Sequence, residues 1–325
     1  MAKQIQWATL GCGVIGNELA TIMKHKHTHG LYGVGNRTHA KAVAFAQKYD
    51  IPKIYATPED IFHDDAVDVV YISTPHNTHL PFILHALEHG KHVLAEKSIV
   101  LNSGELTKAK ALAAQKHLVL AEAMTLYHMP LYQKLEQRIQ NGDFGAFRLA
   151  QVNFGSYKEY SMQNRFFNRS LAGGAMLDIG VYALSLVRRF MPLPEKALSE
   201  VLLAPSDVDE SAGIVLKNHE NALATITLSL HAKQPKRATL SFDKAYLEIF
   251  DYPRAERATI VWTEDGRREE ITAGHMQDAL LYEVQDMEAA IRGDQARMHL
   301  DWTEDVMRLM TNLRQNWGVQ YPEEV

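Results

Sequence analysis

Lys97 stands where a strand ends and can touch a bound molecule, and Asp178 with Tyr182 forms a polar pair in an otherwise apolar helix. Lys97 closes the run Gly90-Lys91-His92-Val93-Leu94-Ala95-Glu96-Lys97, a turn glycine followed by a short apolar strand, with an acid and a lysine where the strand ends. In an open α/β sheet, ligands bind outside the carboxyl ends of the strands. An ammonium there can polarise an oxygen or, with a lowered pKa, exchange a proton. Asp178 and Tyr182 stand at i and i+4 in Gly173-Gly174-Ala175-Met176-Leu177-Asp178-Ile179-Gly180-Val181-Tyr182, where two glycines lead into a helix running to about Phe190. That spacing puts both on one helix face. A carboxylate in an otherwise apolar helix needs a charged or hydrogen-bonding partner. A lysine from the first domain would supply one; a hydrogen bond inside a core helix is the plainer alternative.

A second constellation points to a bound nucleotide. Ile5 to Leu10 reads as a strand, Gly11-Cys12-Gly13-Val14-Ile15-Gly16 follows at once, and Asn17 to Lys24 reads as a helix. This is G-x-G-x-x-G in the strand–turn–helix setting that gives it meaning. Gly11 permits the turn, Gly13 lets a pyrophosphate approach the backbone, and Gly16 lets helix and strand pack closely. The helix start then offers N–H groups and partial positive charge to the phosphates. The second strand, Gly30 to Gly35, ends at Asn36-Arg37-Thr38. A site specific for NAD usually carries an acid there, on the ribose hydroxyls. This chain has Asn36 and then a guanidinium, which can pair with a 2′-phosphate. NADP(H) is therefore the expected cofactor, with NAD(H) possible. Stacking of Arg37 on the adenine, or simple exposure, is the alternative.

The elements that must position these groups alternate. His39 to Tyr49 reads as a helix, Ile54-Tyr55 as a short strand, and Thr57-Pro58-Glu59-Asp60 as a helix start with Thr57 as its cap. Val67 to Ser73 is an apolar strand ending in Thr74-Pro75-His76-Asn77-Thr78-His79, on the edge that carries the glycine turn. Thr74, Pro75, Asn77 and His79, together with Glu96, are thereby candidates to face the cofactor. Leu80 to His89 is helical, His92 to Glu96 is a strand, Asn102 caps a helix to about His117, and Leu118 to Ala121 is one more strand. Such alternation predicts a doubly wound parallel sheet of the Rossmann type over residues 1–122. Beyond it the rhythm changes. Pro130 to Gln140 is helical. Strands are expected at Ala146–Tyr157, Gly213–Lys217, Leu223–Leu230, Arg237–Phe242, Ala245–Phe250 and Thr259–Thr263. Residues 123–325 thus read as an α+β domain with an open, mostly antiparallel sheet. Ala279 to Ile291 and Thr303 to Trp317 read as packing helices that brace the two domains, with Tyr282 near the cofactor.

Composition narrows the classes. Of 325 residues, 46% are apolar and 22% charged, as expected of a folded soluble chain. A formal charge of −5 leaves no basic footprint for nucleic acid. No apolar run of membrane-spanning length is evident and no signal-peptide core precedes the first strand, so a cytoplasmic protein acting on a small molecule is expected. Cys12 is the only cysteine, which excludes an intrachain disulfide and a cysteine cage for zinc. His25, His27 and His29 alternate near a helix end, a spacing unsuited to a helical metal face, and no metal is expected at the reacting centre.

Taken together, the glycine turn, the Thr74–His79 loop, Gly90–Lys97 and Gly173–Tyr182 resemble the Gfo/Idh/MocA family of NAD(P)-dependent oxidoreductases. Asp178-x-Gly180-x-Tyr182, Glu122-Ala123-Met124 and Arg165-Phe166-Phe167 resemble most its dihydrodiol dehydrogenase and glucose–fructose oxidoreductase branch. The resemblance implies hydride transfer between nicotinamide and a secondary alcohol or carbonyl carbon of a sugar, polyol or dihydrodiol. It implies that Lys97 contacts the substrate hydroxyl and the nicotinamide region, that Asp178 and Tyr182 bind substrate and assist proton transfer, and that Arg165 belongs with the cofactor-binding residues. It also implies a homodimer formed through the C-terminal sheet. A tyrosine with the ordinary pKa of about 10 is a poor base, so a nearby ammonium would have to lower it. The family's Glu-Lys-Pro is here Glu96-Lys97-Ser98, which leaves the lysine chemically intact but without the restraint that proline places on its backbone. Two alternatives stay open: a redox-neutral glycosidase using NAD transiently, and a non-enzymatic NADP(H)-binding regulator.

Overall fold

Short strands rich in Val, Ile, Leu and Ala, with no polar alternation, require cover on both faces, and that is the setting of a parallel sheet. In the computed structural model, which describes residues 4–27, 29–192 and 194–324, six of them pair. They are β1 (Trp7–Leu10), β2 (Gly33–Gly35), β3 (Lys53–Ile54), β4 (Val69–Ile72), β5 (His92–Glu96) and β6 (Leu120–Ala123), all parallel, in the order β3-β2-β1-β4-β5-β6. The sequence reverses direction across the sheet between β1 and β4, the switch point at which doubly wound sheets open a crevice. Helices α1 (Val14–His25), α2 (His39–Tyr49), α3 (His79–Glu88) and α4 (Ser103–Lys116) connect the strands.

Local chemistry accounts for most boundaries. Asn102 caps α4 as expected, its side chain accepting from Glu105 N at 2.9 Å, while Glu105 Oε2 accepts from Leu101 N at 2.9 Å. Two expectations need correction. The first helix starts at Val14 rather than Asn17, so Gly16 lies in its first turn and Gly13 is its cap. Thr57 caps nothing with its hydroxyl. Its backbone N–H donates instead to Asp60 Oδ2 at 2.8 Å, ahead of a single 3-10 turn, Glu59–Ile61.

Two compact units emerge from the chain, and each draws on separate stretches. One comprises Met1–Met124 with Leu280–Leu300, the other Thr125–Ala279 with Asp301–Val325. The late helix α8 (Ala279–Ile291) therefore returns to the first unit. There Leu280, Val284, Met287 and Ala290 are buried in one core cluster with Trp7, Leu19, Met23 and Phe45. Glu288 fixes the return: its Oε1 accepts from Trp7 Nε1 at 3.2 Å and lies 3.2 Å from His27 Nε2. His27 is thus already engaged, which removes it from the alternating histidine trio.

In the second unit, α5 (Thr125–His128), α6 (Pro130–Gln140), α7 (Val181–Phe190) and α9 (Leu300–Trp317) accompany eight strands. These are β7 (Phe147–Gly155), β8 (Pro194–Leu203), β9 (Asp209–Asn218), β10 (Leu223–Ser229), β11 (Gln234–Phe242), β12 (Ala245–Phe250), β13 (Arg257–Trp262) and β14 (Arg268–Thr272). Their order is β14-β13-β12-β11-β7-β10-β9-β8, antiparallel throughout except β7 with β10. Ala212, Ile214, Leu216, Ala224, Ile226, Leu228, Ala150, Val152 and Phe154 alternate inward and are buried. The helical run Arg169–Phe190 is long and apolar enough for a membrane span, contrary to the expectation that no segment is, but 78% of that window is buried inside the protein. Its apolarity serves the core.

The helix bearing Asp178 and Tyr182 is held from below. It opens with a π-helical turn, Met176–Gly180, before α7. Gly174, at φ +125°, passes so close to Asp209 that a Cβ would lie 2.3 Å from Oδ1, so no larger residue fits. Asp209 Oδ2 accepts from Met176 N at 2.5 Å. Tyr321 Oη donates to Gly173 O at 2.7 Å, and Arg314 forks onto Glu324 at 2.8 and 3.0 Å. Burial pushes Asp209 up to about 7, against the opposing pull of Met176 N–H and of the Arg314 guanidinium. Between the ordinary carboxyl range and that value the unfolded chain has released a proton that the folded chain keeps. Stability from this group is therefore present in acid and falls as pH rises through the folded pKa. The rise from an ordinary carboxyl to about 7 is worth at most about 4 kcal/mol. Asp209→Asn should flatten the loss of stability between about pH 4 and 7, measured by urea unfolding. A variant whose pH dependence parallels the unmodified protein would show that Asp209 titrates normally.

Candidate active site

The carboxyl ends of β1, β2, β4 and β5 lie on one edge of the parallel sheet, and the predicted cofactor residues follow them directly. After β1, Gly11 takes φ +117°, and a Cβ on it would lie 2.7 Å from the carbonyl oxygen of Ser73 in the loop after β4. A Cβ on Gly16 would meet Gly11 O at 2.8 Å. Gly13 differs: nothing lies within 4 Å of the place its Cβ would take. Two glycines are thus demanded by close packing, and the third fronts open space at the start of α1. No side chain caps that helix and no acid sits in its first turn, so its N–H groups and positive dipole end are not met by protein charge. Val14 is 90% exposed there. This is a cradle whose donors fit a pyrophosphate. Cys12 is half-buried, and burial, only partly offset by the Lys41 charge, pushes its thiol up to about 11. It is a protonated lining residue, and Ile15 is half-buried beside the core cluster.

After β2, Asn36 Nδ2 donates to Thr38 O at 3.1 Å, which leaves the exposed Arg37 at the outside of the turn. The residues that end β2, Gly35-Asn36-Arg37-Thr38, include no carboxylate to take ribose hydroxyls.

The loops after β4 and β5 are joined by buried polar contacts. Buried His79, the first residue of α3, has Nε2 2.8 Å from Thr74 O and Nδ1 3.1 Å from the carbonyls of Ser98 and Ile99. Burial lowers its pKa, outweighing the pull of these carbonyls, so the ring is neutral with one proton to give. That proton can serve either the Thr74 carbonyl or the Ser98 and Ile99 pair. His79 therefore supports the cofactor edge from inside, and it cannot touch a ligand as a cofactor-binding residue would. His76 Nε2 lies 3.1 Å from Lys97 O, Ile99 N donates to Glu122 Oε1 at 3.1 Å, and Tyr71 Oη donates to Glu96 Oε1. Glu96 is buried and accepts from Tyr71. The Lys97–Ser98 peptide is cis. The backbone around Lys97 is held by His76 and Glu122, with His79 packed against it. The restraint expected to be missing without proline is thus supplied by side chains. Thr74, Pro75 and Asn77 lie at the edge itself, with Thr78 Oγ1 donating 2.7 Å to Thr74 Oγ1 or Pro75 O. Sequence reasoning misses the anchoring roles of Tyr71, His76 and Glu122. The one available signal is a polar residue inside each apolar motif.

In the second unit, Asp178 and Tyr182 share a face across the π turn and are both half-buried. The Arg165 guanidinium lies 3.9 Å from Asp178 Oδ1 and over the Phe166 ring at 4.0 Å. Asp178 thus has a cationic neighbour within its own unit, where the sequence reading names a lysine of the first domain or a hydrogen bond inside the helix. Arg165 and Asp178 both belong to the second unit. Tyr182 lies 6.1 Å from the Phe154 ring, which in turn carries Lys236 Nζ 5.2 Å from its centroid. Tyr282 lies half-buried on α8 in the first unit.

Comparison with known proteins bears on both units. Residues 5–124 match the oxidoreductase family with an NAD-binding Rossmann fold, and residues 132–248 match the Gfo/Idh/MocA C-terminal domain. The trans-1,2-dihydrobenzene-1,2-diol dehydrogenase of Mus musculus is 28% identical over 249 residues, which is 75% of this chain and 74% of that protein. A mutant 3-ketoreductase from Actinomadura kijaniata, solved with TDP-benzene and NADP, superposes with a TM-score of 0.84 at 20% identity, covering 96% of this chain and 98% of the other. A levoglucosan dehydrogenase solved with NADH and levoglucosan gives a TM-score of 0.82 at 16% identity, with 96% and 98% covered. These two likenesses concern the fold. With the glycine cradle, the lysine after β5 and both domain matches in one chain, the protein belongs to the Gfo/Idh/MocA family of NAD(P)-dependent oxidoreductases.

Proposed function

We propose that this protein is an NADP(H)-preferring dehydrogenase or reductase acting on a secondary hydroxyl or carbonyl of a sugar, polyol or dihydrodiol, with Lys97, Asp178 and Tyr182 as its substrate-handling groups. One observation carries the reading: Lys97 stands at the end of β5, on the sheet edge that also carries the glycine cradle, in a chain of this oxidoreductase family. When bound, the nicotinamide supplies or accepts the hydride. The side chains manage the oxygen and its proton. The Lys97 ammonium donates to the substrate oxygen and steadies negative charge as the hydroxyl proton leaves. Tyr182 relays that proton, and Asp178, with the Arg165 guanidinium beside it, accepts from a neighbouring hydroxyl and fixes the substrate's orientation.

Solved proteins of this fold include one with NADP and one with NADH, so the preference rests on this chain's own residues. Exposed Arg37, with no acid beside it in the chain, favours a 2′-phosphate. Dimerisation is proposed through the outward face of the second-unit sheet. Leu198, Leu202, Val215 and Leu223 are 71%, 67%, 41% and 40% exposed there, and Leu198 pairs directly with Val215.

Lys97→Met should lower kcat by about a hundredfold to ten-thousandfold while the dissociation constant for NADPH stays within about threefold. Near-normal kcat on a sugar, dihydrodiol and dicarbonyl panel would refute its role. Arg37→Ala should weaken NADPH binding by roughly ten- to a hundredfold and leave NADH little changed; equal loss for both would remove the 2′-phosphate assignment. Light scattering should give a dimer, converted to a folded monomer by Leu198→Glu with Val215→Glu. A monomeric unmodified protein would exclude the interface.

A further inference from the structure

Three histidines outside the proposed catalytic groups converge near the C-terminal end of α3. His85 and His89 stand one turn apart, and the chain after the 3-10 turn Glu59–Ile61 brings His63 over them. Ring centroids lie 5.9 Å apart for His63–His85, 4.4 Å for His63–His89 and 4.6 Å for His85–His89. One ring nitrogen from each lies within 4.8 Å of the others. None of these rings is spent on the sheet edge or on the glycine cradle.

The groups around them fix how they are presented. His89 Nδ1 donates to His85 O at 2.8 Å. That bond sets the tautomer and leaves the Nε2 lone pair outward, the arrangement by which a backbone carbonyl orients a metal-binding imidazole. The His85 ring packs 4.8 Å from that of buried Phe62. The backbone beside His63 is held firmly: Tyr55 Oη donates to Asp64 Oδ2 at 2.9 Å, and buried Lys91 Nζ donates to the carbonyls of Asp64 at 2.7 Å and Val67 at 3.0 Å. A helix C-terminus also carries partial negative charge, which favours a cation at this end.

We infer that His63, His85 and His89 form a binding site for one divalent transition-metal ion of the zinc class, with water completing its coordination. An all-imidazole set suits Zn2+, Ni2+ and Cu2+ and is poor for Mg2+ or Ca2+, which take oxygen ligands. Zinc–nitrogen bonds of about 2.0–2.1 Å in a tetrahedral site place the donors about 3.4 Å apart. The rings must therefore close by about an ångström, within reach of side-chain rotation at exposed His63. The ion clips the β3–β4 connection to the end of α3. At 1.5 Å rise per residue, His85 and His89 stand about 9 and 15 Å along α3 from His79 and the catalytic edge. Its effect is therefore on stability, independent of the proposed reaction.

The test uses untagged full-length protein freed of metal with EDTA and titrated with ZnCl2 by calorimetry. One equivalent should bind with a micromolar or tighter dissociation constant. The melting temperature should rise by about 3–5 °C at a hundredfold excess over that constant. His63→Ala, His85→Ala and His89→Ala should each weaken binding at least tenfold, whereas His219→Ala, at an exposed histidine elsewhere, should not. All variants should melt with the metal-free protein in EDTA, which separates lost binding from lost folding. With CuCl2, electron paramagnetic resonance should show nitrogen hyperfine coupling that the triple variant lacks. Absence of a saturable single equivalent, or binding that survives in the triple variant, would overturn the site.

Discussion

The turn from β1 into α1 is possible only because Gly11 has no side chain. Its α-carbon faces the Ser73 carbonyl so closely that a methyl group would sit at 2.7 Å from the oxygen. That contact joins the loop after β1 to the loop after β4 at the point where strand order reverses. The proposed cofactor cradle follows from it. α1 can start at Val14, Gly13 can front open space, and the helix dipole is left to an anion. An alanine at position 11 would have to move a backbone carbonyl, which no rotamer change relieves.

From this turn the restraint passes along the sheet edge through buried polar groups. His79 links the loop after β4 to the loop after β5, and Glu122 at β6 takes Ile99 N from the other side. Each is desolvated, so removing one leaves a carbonyl or an N–H unpaired in the interior, at a cost of about 1–3 kcal/mol. The same logic operates in the second unit, where Asp209 takes the Met176 N–H at the start of the special helix. In both units the flexible, charged side chains stand on backbone fixed by buried polar groups.

How far the sequence discloses this depends on whether the signal is local. The glycine turn, the Asn102 cap, strand β5 and the inward alternation of β7, β9 and β10 are set by neighbours within a few residues, and they are readable. Strands β8 and β14 are not. β8 ends the sheet and has most of its residues exposed, and β14, Arg268-Glu269-Glu270-Ile271-Thr272, is charged at the opposite edge. Edge strands suppress the apolar alternation that identifies a strand. His79 and Glu96 read as cofactor contacts in the sequence, and their burial is not legible there, because motif position says nothing about it. Asp209 lies 33 residues from Met176, and no spacing rule connects them. The histidines at 63, 85 and 89 are equally hidden: two sit one turn apart, but the third arrives through a loop placed by Asp64 and Lys91.

The order of events in chemistry of this kind places a further demand on the fold. A hydride step requires carbon-to-carbon approach held within a few tenths of an ångström, while the proton on oxygen must remain mobile. Rigid and mobile parts must therefore be separated. Here the rigid part is the cradle and the buried ties behind it, with His79 neutral because burial outweighs its carbonyl partners. Cys12, the lone thiol in the cradle, is likewise kept protonated by burial, so it brings no negative charge against a phosphate. Charge is handled by long side chains that are not fully buried: Lys97, Arg37 and Arg165. Substituting a buried tie should then disturb the alignment of carbons, whereas substituting a mobile head should disturb the handling of charge. The two classes of residue are distinguishable because burial assigns each to one task.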